Sequence, residues 1–193
     1  MIYRPSTGSP RNLRELFYYL YNELKRISTS FSGLKVVYTT AIDAISVVDQ
    51  SPTGLGDANK IQITFGDPQT TTAFDLDALG NFTVLVSDIY YLQGKFSVGR
   101  SGNPGASQIY IRALINGVPV GYTTHAIIDT SRIEMPITFD GNAPLSAGDI
   151  ITFEIMRDTD GHNSGGLEAG NPDEAGWADS PSARAFITTI GVG

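Results

Sequence analysis

No cysteine occurs among the 193 residues. That absence excludes a disulfide framework, a thiolate metal site and a cysteine nucleophile, and leaves either redox compartment open. Histidine is scarce too: His125 and His162 are the only two, so a zinc site would need carboxylates to complete its ligand set. No apolar run approaches the roughly 20 residues of a membrane-spanning helix, and the N-terminus lacks the apolar core of a signal peptide. The expectation is no membrane insertion and no export signal. The Gly-x-Ser-x-Gly elbow, the phosphate loop and the His-Glu-x-x-His motif are all missing. Glu134 and Glu154 are the acids to consider for glycoside hydrolysis, but nothing in their spacing makes them a pair. The sequence therefore predicts no enzyme and no cofactor.

What charge there is falls unevenly. The net charge is −7. Residues 1–35 hold six basic side chains (Arg4, Arg11, Arg14, Lys25, Arg26, Lys35) against Glu15 and Glu23, a net +4, and the remainder carries −11. A basic stalk under an acidic head suits docking on an acidic partner; a solvated helix face explains the same pattern. An acidic head argues against nucleic acid, whose phosphates need a basic patch.

The basic segment is also where the helical pattern lies. Leu13, Phe17, Leu20, Leu24, Ile27 and Phe31 recur at alternating spacings of four and three, the seam of a coiled coil. Ser9-Pro10 is an N-cap with proline at the first helical position, and Gly33 is a stop. Such a helix does not hold in water with its seam uncovered. It must pack on its own sheet, on copies of itself, or on another protein. Tyr18, Tyr19 and Tyr21 widen the apolar surface, which favours a trimer or a receiving groove. Residues 1–33 are thus expected to anchor or oligomerise the chain, with these six seam residues as the contact.

Beyond Gly33 the period becomes two. Runs at 35–40, 42–48, 60–65, 71–76, 82–86, 90–98, 108–115, 118–127, 132–139, 150–157 and 184–190 read as strands, divided by Gly-, Asn- and Asp-rich turns that include Asp140-Gly141. Asn116-Gly117 calls for a type I′ hairpin. Many short strands with one helix predict a mainly β chain: an antiparallel jelly-roll sandwich over residues 34–193, preceded by an N-terminal amphipathic helix. Residues 34–66 are set apart as extra strands or a collar.

One loop, 158–182, is long enough to be functional. Asp158 and Asp160, with Asn163, Glu168, Asn171, Asp173, Glu174 and Asp179 beyond, offer oxygen ligands for calcium. The register is not that of an EF-hand, and a solvated acidic turn explains the same residues, so no metal is assigned. Asp158, Asp160, His162 and Trp177 are the candidates for a ligand loop. Trp177 is either an exposed sugar platform or, more simply, a pin that holds the loop to the sandwich.

Leu79-Gly-Asn-Phe-Thr83, Ile89-Tyr-Tyr-Leu-Gln-Gly94, Ile111-Arg-Ala-Leu-Ile-Asn-Gly117 and Leu145-Ser-Ala-Gly-Asp-Ile-Ile151 make residues 71–192 resemble the jelly-roll heads of the tumour necrosis factor and complement globular-head superfamily. A helix reading Arg-Glu-Leu and Glu-Leu-Lys-Arg-Ile, leading into such a head with Arg157-Asp-Thr-Asp-Gly-His-Asn-Ser-Gly-Gly-Leu167, Gly176-Trp177 and Ser180-Pro-Ser182, resembles small virion proteins of tailed bacteriophages. The resemblance implies a homotrimeric surface spike on the virion: a capsid decoration or head fibre, or a tail fibre or knob. Its implied partners are its own copies and other capsid or tail proteins. The aromatics Phe96, Tyr110 and Phe153 are expected at contacts between copies. A host-receptor or surface-glycan-binding module is the alternative.

Overall fold

The computed structural model describes residues 19–25, 36–100, 105–130 and 133–192. Of the anchoring seam, Leu13, Phe17, Ile27 and Phe31 lie outside the described residues, as do the expected cap and stop. The chain divides into two compact units, residues 1–37 with 191–193, and residues 38–190. In the first, residues 19–25 are helical.

Two antiparallel sheets form a sandwich, with twelve strands among the described residues: β1 (Val36–Ser46), β2 (Ile61–Gln62), β3 (Gln69–Thr70), β4 (Phe74–Leu76), β5 (Phe82–Val84), β6 (Asp88–Gly99), β7 (Ser107–Ile115), β8 (Val118–Ile128), β9 (Glu134–Leu145), β10 (Ile150–Arg157), β11 (Gly166–Leu167) and β12 (Ala183–Val192). One sheet runs β1-β12-β6, with β9 and the short β11 also paired to β6; the other runs β3-β4-β5-β10-β7-β8, with β2 paired to β10. From β6 onward the chain crosses repeatedly between the sheets, so that β10 returns between β5 and β7, and β12 between β1 and β6. That strand order is a jelly roll.

Parity explains which side chains form the core, because alternate residues of a strand face opposite sides. Ile151, Phe153 and Ile155 of β10 are fully buried, and so are Ile109 and Ile111 of β7 and Ala183, Ala185 and Ile187 of β12. Phe153 is the hub. Its ring lies 5.6 Å from Phe96, 5.8 Å from Phe65, 6.2 Å from Phe139 and 6.3 Å from Phe82, centre to centre. These rings come from both sheets. Gly94 makes room for them on β6, since a Cβ there would come within 2.7 Å of the Phe96 ring. Phe96 and Phe153 are therefore spent inside one chain and cannot reach a second copy, contrary to the expectation from sequence. Tyr110 is on the outer face, half-buried.

Several boundaries differ from the sequence reading, each for a local reason. The two runs at 35–40 and 42–48 are one strand, β1. The run at 71–76 is broken because the Thr71 hydroxyl accepts the N–H groups of Ala73 (3.2 Å) and Phe74 (3.0 Å), turning the chain. Asp140-Gly141 is not a turn: β9 continues through it, since all twelve of its residues pair with the twelve of β6. Residues 61–65 share the main core, with Ile63 and Phe65 buried and the Ile63 N–H donating to the Phe153 carbonyl at 2.8 Å.

The hairpin at Asn116-Gly117 has positive φ at both residues, 52° and 75°, as a type I′ turn requires. Its side chain links two turns: the Asn116 amide donates to Asp149 at 2.8 Å, and its oxygen accepts the Ile150 N–H at 2.9 Å. Asp149 also accepts the Ser146 N–H at 2.8 Å. The Ser146 N–H first, then the Asn116 amide, hold the Asp149 carboxyl below its ordinary value of 3.8. A depressed carboxylate stabilises the fold above the unfolded value and loses that contribution as pH falls through the folded one. Asp149→Asn is accordingly expected to lower the thermal midpoint at pH 7, with the difference from wild type shrinking below about pH 4; calorimetry at several pH values checks this.

Candidate interaction surfaces

The segment after β10 is built on a buried cation. β10 parity carries inward from Ile151 to Arg157, and Arg157 ends that row buried. Its Nε donates to the Gly165 carbonyl at 2.7 Å and Nη1 to Asn163 Oδ1 at 2.8 Å. Burial pulls its pKa below the ordinary arginine value. Beside it the Ser164 and Ser107 hydroxyls meet at 2.8 Å, and Ser107 donates to the His162 carbonyl at 3.0 Å. Leu167 follows, fully buried, with β11 paired to Val98 and Gly99 of β6 and bridged to Gln50.

The first half of the loop is thus part of the sandwich. The second half is not: a bridge between Gly170 and Ser180 closes an excursion, 171–179, in which Asp173, Glu174, Trp177 and Asp179 are exposed. Trp177, 75% exposed, does not pin the loop. Arg157 and Leu167 do, and the parity of β10 was the sequence signal for the first of them.

Of the four ligand-loop candidates, Asp158 and Asp160 lie together. The Asp158 carboxylate accepts the Asp160 N–H and the Thr159 hydroxyl, both at 3.3 Å, and the Asp160 N–H is the main reason its pKa lies below the ordinary value. His162 is anchored through its backbone, its N–H donating to Ala106 at 2.9 Å. Trp177 belongs to the separate excursion beyond the Gly170–Ser180 bridge. Among the described residues no three His, Asp or Glu side chains are grouped to hold a metal ion, and no helix is long and apolar enough to cross a membrane.

Three other surfaces stand out. On the outer face of the β10 sheet, Arg112 donates to Glu154 through Nε (2.9 Å) and Nη2 (2.7 Å), and Lys60 pairs with Asp57 at 2.8 Å, around a small cleft of about 50 Å³. Tyr110 stacks on His125 at the same cleft, its ring 5.5 Å away; desolvation, then the Asp158 charge, raise its pKa. Glu134 is on β9, in the other sheet, where it accepts the Ser97 hydroxyl at 2.8 Å; the two acids considered for glycoside hydrolysis do not share a face. A second, apolar cleft of about 90 Å³ opens between β8 and β9, lined by Leu92, Ile115, Val120, Tyr122 and Phe139. Tyr122 and Val118 are more than 60% exposed there and on the adjoining edge. The third surface is a groove of about 240 Å³ on the outer face of the β6 sheet, between Lys95, Pro136, Thr138, Pro181 and Arg184. In the N-terminal unit, Leu20 and Leu24 are 47% and 65% exposed, and Glu23 is buried.

No protein-family model and no curated protein matches this chain. Among solved structures it is similar to one described as the crystal structure of rabbit GITRL, at 12% identity and a TM-score of 0.34, over 64% of this chain and 81% of that one. The fold assignment rests on the strand order and not on that likeness.

Arg157→Met keeps the stem but strands the Gly165 carbonyl and the Asn163 amide. The expected result is a loss of about 1–3 kcal/mol in urea unfolding. Hydrogen exchange at the Leu167 N–H, which donates to Gln50 at 2.8 Å, should quicken more than exchange in β7 or β10.

Proposed function

We propose that this chain is a non-enzymatic structural protein of a phage particle: a homotrimeric spike on the virion surface, attached through its N-terminal helix with its jelly-roll head outward. The observation that carries the reading is the exposure of Leu20 and Leu24. They are the described members of a six-residue seam, and both are exposed. An apolar stripe of this kind needs a partner. Three parallel copies would cover it, and so would a receiving groove on a capsid or tail protein. The apolar cleft between β8 and β9 supports a further contact between heads. Assignment to a tailed phage rests on the sequence resemblance of the helix, the head and the 157–182 segment.

The solution mass of the full chain, compared with a chain beginning at Ser32, tests this. A trimer is expected for the full chain. Its persistence after truncation would place assembly in the head, and its loss would place assembly in the stalk. A full-length monomer would remove the spike reading.

A host receptor- or carbohydrate-binding module is the second reading, favoured by one observation: the only tryptophan is exposed in an acidic excursion. On a glycan array the wild type would then bind a defined set, and Trp177→Ala would lose it, since stacking on the indole supplies much of the contact. Equal signals from the two proteins would remove this reading.

A further inference from the structure

In the register of β6 and β12, Lys95 stands directly opposite Arg184. Like charges at such a position repel. Arg184 is relieved on its far side, where Nε and Nη2 donate to the two oxygens of Asp43 at 2.8 and 2.6 Å. That pairing raises the guanidinium pKa. Lys95 has no ion-pair partner among the described residues. It is exposed, its neighbour on β9 is Thr138, and Glu134 of the same strand is engaged by Ser97. Both cations line the groove of about 240 Å³ with Pro136 and Pro181.

The complement of that groove is on the same molecule. The excursion 171–179 carries Asp173, Glu174 and Asp179 around Trp177, all exposed, and none of the three acids has an ion-pair partner among the described residues. The loop does not occupy the groove of its own chain, since Trp177 is 75% exposed. Pro181, which forms one wall of the groove, directly follows the base of the excursion, so the donor and acceptor surfaces adjoin. About a rotation axis at this edge, each copy would give a loop and receive one, a heterologous contact that closes into a ring.

We propose that the groove of one copy binds the Trp177 excursion of the next, with the indole against Pro136 and Pro181 and the carboxylates facing Lys95 and Arg184. This rests on the homotrimer reading. The test measures trimer dissociation of the full chain by sedimentation at several concentrations. Lys95→Glu and Trp177→Ala are each expected to raise the dissociation midpoint about tenfold or more, as breaking close interfacial charge pairs and aromatic anchors does. In the Lys95→Glu background, one of Asp173→Lys, Glu174→Lys or Asp179→Lys should restore it. Circular dichroism verifies the fold, and Trp177→Ala, on an exposed loop, leaves the core untouched. A trimer that dissociates as wild type in both single variants overturns the inference and leaves the trimer standing. Weakening by Lys95→Glu with no rescue by any reversal overturns the loop as occupant. A wild-type monomer overturns both readings. Retention of an acidic oligosaccharide by wild type but not by Lys95→Glu, with the trimer unchanged, assigns the groove to carbohydrate instead.

Discussion

The contact of Phe153 with four other aromatic rings holds the two sheets together. β10 lies inside its sheet, paired on both sides, so its inward side chains have no freedom to move aside. Phe153 meets Phe96 and Phe139 from the facing sheet and Phe65 and Phe82 from its own side. Edge-on and tilted packing of this kind adds about 0.5–1.5 kcal/mol per pair to the gain from burial. It also constrains the backbone. Gly94 has no side chain because the Phe96 ring occupies that space.

That core leaves little for an interface to draw on. The core phenylalanines and Tyr90 are consumed within the chain, and the aromatics left exposed among the described residues include Tyr122 on β8, Trp177 on its excursion and Tyr21 on the helix. In proteins generally it is contiguous apolar surface, not scattered exposed side chains, that marks a contact with a partner.

The loop after β10 shows how a charge can organise a fold. An arginine at an inward position is costly to bury unless its donors find acceptors. Arg157 draws the carbonyl of Gly165 to its Nε and the amide oxygen of Asn163 to its Nη1, and Leu167 then fills the end of the core. Asp173, Glu174 and Asp179 further on have no ion-pair partner among the described residues and are exposed. A single stretch that reads as one glycine-rich acidic loop is in fact two parts, one tied to the core through Arg157, Ser164 and Leu167 and one exposed from Asp173 to Ser180.

Much of this was written in local pattern. Period-two alternation, the Asn116-Gly117 turn and the Leu145–Asp149 turn determined the strands, the hairpin and the mainly β class, because each depends on residues within a few positions of one another. The seam spacing called for a helix, and the part of that stretch that is described, residues 19–25, is helical. What the sequence could not decide was anything set by pairing between distant strands: that β9 runs straight through Asp140-Gly141, that Phe96 and Phe153 meet inside one chain, and that Lys95 confronts Arg184 across 89 positions. Register between strands follows from the whole sandwich closing at once, so those contacts, and the groove they line, belong to the tertiary structure alone.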